Sequence, residues 1–227
     1  AQRIGRGSEG LAMHVKGQEL PFHERRGTFY VGRGYAVSET GADHLRHAHD
    51  TSYTTPESVA LKSLAPLGQF RPIDPLAATP EKVRLYAQTE LCSILNNCIG
   101  ACFFVYAPRG FFPLDKLVTL TRAMTGWDTS LYELLKAAER VMNVARAFNL
   151  REGLRRQDDT LPGRFFEPLE GGRLQGKSIK REDFERALTW YYHMRGWDAE
   201  TGLPTRGKLA ELDLDWVAAE LEGLNSR

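Results

Sequence analysis

Apolar positions recur at helical spacing from residue 80 onward and irregularly before it. Leu91, Ile94 with Leu95, and Cys98 fall at steps of three and four, the period of one helix face. Thr79-Pro80-Glu81 supplies the start: a capping hydroxyl, a proline where no N–H is needed, and an acid near the positive end of the dipole. This helix is expected to end near Asn97–Gly100, where glycine takes a left-handed conformation. Phe112-Pro113-Leu114 opens a second helix running to Gly126. Ser130-Leu131-Tyr132-Glu133 is a capping box. Behind it Leu134, Ala138, Val141, Ala145 and Phe148 alternate steps of four and three, which predicts the buried face of a third helix. A fourth runs from about Arg181 to Arg195 and is stopped by Gly196. Short helices at roughly 205–212 and 214–223 complete the chain.

The first third has no such period. Met13-His14-Val15-Lys16 alternates as a brief strand, followed by a turn at Leu20-Pro21. Gly32, Gly34 and Gly41 weaken any helix over residues 31–50. Pro56, Pro66, Pro72 and Pro75 make residues 51–79 a long loop with at most a short helix at its start, and residues 155–177 are a second loop. The expected class is all-α: an irregular helical bundle with a loop-rich N-terminal third. Residues 1–30 read as a linker or the end of a preceding helical domain, and residues 31–227 as a C-terminal α-helical domain. The chain opens at Ala1 on what looks like the tail of an element, so it reads as a fragment of a longer polypeptide.

Composition narrows the function classes. Thirty basic residues against 29 acidic ones give no electrostatic argument for nucleic acid or a membrane surface. No apolar run reaches the roughly 18–20 residues of a spanning helix. Cys92, Cys98 and Cys102, an odd number crowded into one segment, fit a reducing, cytoplasmic compartment rather than a disulfide framework.

Two segments carry candidate chemistry. Asp43-His44-Leu45-Arg46-His47-Ala48-His49-Asp50 packs three histidines and two aspartates together. Imidazole and carboxylate suit zinc, iron or manganese, and a lone histidine suits acid–base work; satisfied core or surface histidines read equally from the same spacing. If the segment were helical, His44 and His47 would share a face. Asn97-Cys98-Ile99-Gly100-Ala101-Cys102 lies at a helix end entering a glycine turn, where a ligand can approach the main chain of Ala101 and Cys102. A thiolate is a soft ligand, but an iron–sulfur cluster or zinc site needs about four ligands, so Cys102 is either inert or one corner of a larger site. Cys92 and Cys98 are expected to face inward. Gly32-x-Gly34 is a weak dinucleotide fingerprint. Asp159 or Thr160 is expected to cap a turn before Pro162, and Trp127, Trp190, Tyr191, Tyr192 and Trp197 are expected in the core.

Several stretches together resemble the C-terminal region of the aldehyde ferredoxin oxidoreductase family of tungsten–pterin enzymes. They are Val15-Lys16-Gly17-Gln18-Glu19-Leu20-Pro21, Gly34-Tyr35-Ala36, Gly41 to Arg46, Asn97 to Cys102, and Glu139-Arg140. The run Phe148 to Gly153, the block Asp158 to Arg164, and Tyr191-Tyr192 with Arg195 to Asp198 complete the set, in order along the chain. The resemblance implies that Cys102 is the fourth ligand of a 4Fe–4S cluster and lies beside the pterin. It implies that Gly100 and Ala101 let the main chain approach the pterin, and that Asn97 hydrogen-bonds its amine groups. It places Arg46 beside the pterin or its phosphates and His44 at the substrate end of the metal. Asn97 stands where the family has aspartate, exchanging a charge-assisted hydrogen bond for a neutral one. Asp43 stands where many members have cysteine, Glu24-Arg25-Arg26-Gly27 stands for D-P-R-G, and Thr40-Gly41 replaces an arginine–glycine pair.

The implied function is aldehyde oxidation to a carboxylic acid, with tungstopterin or molybdopterin as cofactor and electrons passing through the cluster to ferredoxin. The implied partners are the missing N-terminal domains of the same polypeptide, ferredoxin, the aldehyde and a possible second copy in a homodimer. The isolated fragment is expected to bind no cofactor and to be inactive. Two other classes remain: an H…HD…D phosphohydrolase using His44, His47, His49 and Asp50 with Asp183 or Asp198, and a non-catalytic helical binding module.

Overall fold

The capping chemistry at residue 79 is where the helical body begins. A computed structural model describes residues 1, 3–27, 29–110 and 112–222. In it Thr79 Oγ1 accepts a hydrogen bond from Lys82 N at 3.4 Å, ahead of Pro80. Eight helices are described: α1 Phe29–Val37, α2 Val59–Lys62, α3 Pro80–Cys98, α4 Leu114–Thr125, α5 Leu131–Arg151, α6 Arg181–Arg195, α7 Arg206–Glu211 and α8 Asp215–Glu222. One two-stranded antiparallel hairpin, β1 His14–Val15 with β2 Gln18–Glu19, and six short 3-10 helices complete the regular structure described. The fold is mainly α, as the periodicity predicts. Among the described residues no helix is long and apolar enough to cross a membrane.

Helix α3 is the centre of the bundle, packed against both α5 and α6, with α1 laid across α3 and α6. Leu85, Ile94 and Leu95 of α3 are buried with Leu134, Ala138 and Met142 of α5 and Phe184, Leu188 and Tyr191 of α6. A buried polar set locks this packing. Glu90 on α3 accepts from Tyr86 at 2.9 Å and from Tyr191 at 2.7 Å, and pairs with Arg195 of α6. Such a pair contributes little net stability when whole, but leaves an uncompensated interior charge if one partner is removed. A second small core joins the end of α5 to α7 and α8 through Leu150, Leu209, Leu212, Leu214 and Val217.

The start of α5 keeps half of the expected capping box. Ser130 Oγ accepts from Glu133 N at 3.2 Å, while the Glu133 carboxylate accepts from Thr129 Oγ1 at 2.9 Å. Its buried face differs from the one predicted. Val141 and Phe148 are exposed, and the buried stripe is Leu134, Ala138, Met142, Ala147 and Leu150 together with Glu139, Asn143 and Arg146. The polar members are buried because each finds a partner. Trp197 donates to Asn143 Oδ1 at 2.9 Å, Lys208 pairs with Glu139 at 3.1 Å, and Arg146 pairs with Asp159 at 2.7 Å. A hydropathy period does not see such partners.

Other expectations are also corrected. Gly32 and Gly34 lie inside the short helix α1 despite their low helix propensity. Gly34 is small for a packing reason: a Cβ there would lie 2.5 Å from Cε1 of His47. Asp159 caps no turn; it is fully buried and accepts from Arg146, Tyr192 and Lys16, the last at 2.6 Å. Tyr191, Tyr192 and Trp197 are core, as read, Trp190 packs at its edge, and Trp127 is exposed. Cys92 is buried, but Cys98 is exposed, because the last turn of α3 runs past the packed body.

Candidate cofactor-facing site

The turn after α3 is presented outward on a fixed base. Gly100 adopts φ 70°, and Ala101 N bonds back to Asn96 O at 2.8 Å, which ends the helix. Asn97, Cys98, Ile99, Gly100 and Cys102 are exposed and Ala101 is half-buried. A Cβ built on Gly100 would meet nothing within 4 Å, so the main chain there is open to approach. Val105 N and Tyr106 N both donate to Cys102 O at 3.0 Å. Behind the turn, Asn96 Nδ2 donates to Ala107 O at 2.9 Å and Tyr53 Oη donates to Pro108 O at 2.7 Å. Gly110 closes the following loop where a Cβ would meet Val105 O at 2.1 Å. Position is therefore set from the interior, while the side chains named in the sequence point away from it.

The thiols divide accordingly. Burial pushes the Cys92 thiol up to about 12 and makes it inert. Burial also raises Cys98, with the Arg46 guanidinium opposing it. Cys102 is free and exposed. Ile99, Phe104 and Val105, its neighbours along the chain, are exposed apolar side chains, and Arg109 lies over the Phe104 ring at 4.8 Å.

The histidine segment is not helical, so His44 and His47 do not share a face. His47 is fully buried, its ring 5.7 Å from both Tyr35 and Tyr86. Asp50 is fully buried and pairs with Lys82 of α3 at 2.9 Å. These two residues are structural and hold the segment against α3. Arg46 is half-buried, paired with Glu39. Burial lowers its pKa, opposed by Glu90, Tyr86 and Cys98 of α3. His44 instead meets His23 and His49, with ring centroids at 5.2 and 6.2 Å. His23 carried no sequence signal; it lies beyond the hairpin, far from residue 44 along the chain. Among the described residues no three His, Cys, Asp or Glu side chains are grouped so as to hold a metal ion.

The donor set fits a group held mainly from outside this chain. It offers two exposed thiols, Cys98 and Cys102, an open glycine turn and the Arg46 guanidinium, which among the described residues form no closed shell for a metal. The motif blocks also meet elsewhere. Lys16 of the hairpin is buried and donates to Ala36 O at 2.7 Å and Ser38 O at 2.8 Å as well as pairing with Asp159. The Val15-Lys16-Gly17 stretch and the Asp158–Arg164 block are thus halves of one structural joint.

Comparison with known proteins gives a consistent picture. Residues 1–214 match the family described as "Aldehyde ferredoxin oxidoreductase, domains 2 & 3". The chain is 32% identical over 210 residues to the tungsten-containing aldehyde ferredoxin oxidoreductase of Pyrococcus furiosus, covering 92% of this chain and 32% of that protein. It is 33% identical over 205 residues to the Pyrococcus horikoshii protein of the same name, covering 89% and 31%. It is 27% identical over 224 residues to an aliphatic sulfonate oxidoreductase, WOR-like subunit, of Pyrococcus furiosus, covering 95% and 30%. The chain therefore spans about a third of the length of these relatives. The active-site complex BamBC of benzoyl coenzyme A reductase has the same fold over all of this chain and 36% of that one, with a TM-score of 0.72 at 20% identity.

Proposed function

Because the chain belongs to the aldehyde ferredoxin oxidoreductase family and is an oxidoreductase-type module, we propose that it is the C-terminal cofactor-binding part of a tungsten- or molybdenum-pterin enzyme oxidising aldehydes to carboxylic acids. Residues 1–30 lead into the domain, residues 31–227 form it, and preceding domains of a longer cytoplasmic polypeptide supply the rest of the site. Ferredoxin takes the electrons. This chain alone carries out no turnover.

When bound, the pterin metal supplies two-electron chemistry and the 4Fe–4S cluster passes the electrons on singly. The residues of this chain hold and orient. Cys102 provides one cluster thiolate from the exposed turn. Gly100 and Ala101 let the main chain come close to the pterin, and Asn97 meets its amine groups as a neutral acceptor. Arg46 brings positive charge toward the pterin or its phosphates. His44, half-buried beside other imidazoles, holds or receives a proton at the substrate end.

One observation supports this reading: the turn 97–102 is anchored from within by Asn96 and Tyr53 and exposed outside, in a chain that belongs to this family. The exposed Ile99, Phe104 and Val105, near Cys102 along the chain, fit a surface that the preceding domains cover. In the full-length protein, Cys102→Ser is expected to lower cluster iron and turnover together. Undiminished iron and turnover would remove Cys102 from the site. The phosphohydrolase alternative loses support because its residues serve elsewhere. His47 is wedged between two tyrosines, Asp183 pairs with Arg186, and Asp198 accepts from Thr201 N at 2.8 Å.

A further inference from the structure

Three imidazoles from two separate segments meet at one place. The His23 ring lies 5.2 Å from His44 and 5.3 Å from His49, and His44 lies 6.2 Å from His49. The interplanar angles are 59°, 84° and 69°, so the rings meet tilted or edge-on and not stacked. The set is not grouped to chelate a metal. Ring nitrogens at such separations can be joined directly or through one water, since each hydrogen bond spans about 2.7–3.2 Å.

Exposure across the set is graded. His23 is exposed and lines an open groove of about 460 Å³ with Phe22, Glu24, Arg26, Arg164 and Phe165. His44 is half-buried. His49 is half-buried with its Nε2 inside, next to the Asp50–Lys82 pair. The charges around the set are mostly committed. Glu24 is held by Arg26 at 2.8 Å, Arg46 by Glu39, and Asp43 accepts from Leu45 N at 2.8 Å; Arg164 is exposed across the groove.

We propose that His23, His44 and His49 act as one proton-sharing unit that moves protons between His44 and solvent, with His23 as its outer end. The proposal deepens, and rests on, the reading of His44 as the acid–base group of an aldehyde ferredoxin oxidoreductase. Oxidation of an aldehyde with water yields the acid, two electrons and two protons. The electrons go to the iron–sulfur acceptor, and the protons need a separate way out. His44 takes a proton at a ring nitrogen. The proton passes to His23, directly or through water, and from His23 to bulk solvent, after which His44 is ready for the second. His49, fixed beside Asp50, orients the other two and shares the charge. His23 and His49 are positioning and relay residues; neither touches substrate in this reading.

Two measurements test this. In the present chain, proton NMR follows the titration of each imidazole. His23→Gln is expected to shift the midpoints of both His44 and His49 and to leave those of His14 and His193 where they were, because interacting sites titrate as a unit. Unmoved midpoints for both His44 and His49 would overturn the proposal. In the full-length holoenzyme, His23→Ala is expected to lower kcat roughly tenfold with KM unchanged, a part of the 10²–10⁴ a positioned acid–base group supplies. Added imidazole is expected to restore the lost rate. An unchanged kcat, or a loss that imidazole does not restore, would overturn the relay. If the full-length protein oxidises no aldehyde, the functional reading fails, and the titration in this chain still decides whether the three histidines form one unit.

Discussion

Lys16, at the tip of the hairpin, and Asp159, just before Pro162, form a buried ion pair 2.6 Å long that fastens the N-terminal segment to the helical body. Both side chains are almost wholly removed from solvent, and Arg146 and Tyr192 complete the set around the carboxylate. Asp159→Asn leaves two buried cations without their counter-charge. Its unfolding free energy is expected to fall by about 3–5 kcal/mol, the cost of breaking a buried pair. Lys16→Met, which leaves Arg146 paired with Asp159, should cost less. Urea midpoints for the two variants check the order; equal or inverted losses would show that the joint is not electrostatic.

Gly34→Ala places a methyl group against the His47 ring, where the distance to Cε1 would be 2.5 Å. Overpacking of this kind costs about 1–3 kcal/mol. The change is expected to lower the thermal midpoint, and adding His47→Ala should recover part of the loss by making room. A double variant that is simply additive would refute the contact.

The three thiols should separate under alkylation. Iodoacetamide at mildly alkaline pH is expected to modify Cys98 and Cys102 in the folded chain and to spare Cys92, whose thiol burial pushes up to about 12. Peptide mass spectrometry reads the sites. Modification of Cys92 before unfolding would mean that α3 opens locally.

Helix α7 is tied to α5 by a charge cluster whose pH response has a definite sign. Lys136 and Lys208 hold the Glu211 carboxyl down, from 4.5 to about 2. A carboxyl whose folded-state pKa is depressed contributes stability that is present above about pH 4.5 and is lost as the pH falls toward 2. Glu211→Gln should flatten that part of the stability profile while leaving the slope above pH 5 unchanged. An unaltered acid limb would assign the pH dependence to other groups. Glu211 is partly exposed, so the effect should also shrink with added salt.

The helices were legible wherever the signal is local. The caps at Thr79 and Ser130 and the stops at Gly126 and Gly196 read directly from residue type. The buried face of α5 was not, because Glu139, Asn143 and Arg146 are buried through partners in α7, in the residues after α6 and in the loop before Pro162. The same reason hid the role of Asp159. For the candidate site, spacing alone left Cys102 ambiguous, and family motifs supplied the role proposed for it. The meeting of His23 with His44 and His49 is a tertiary event, set by how the hairpin docks, and no periodicity encodes it.

The turn that follows α3 divides labour between its two sides. Asn96 and Tyr53 grip its loop from inside, while Asn97 and Cys102 stand outside that grip. Chemistry can therefore be rewritten on the outer positions without reopening the folding problem. A side chain exchanged at position 97 leaves that grip in place, and its effect falls on whatever the turn faces.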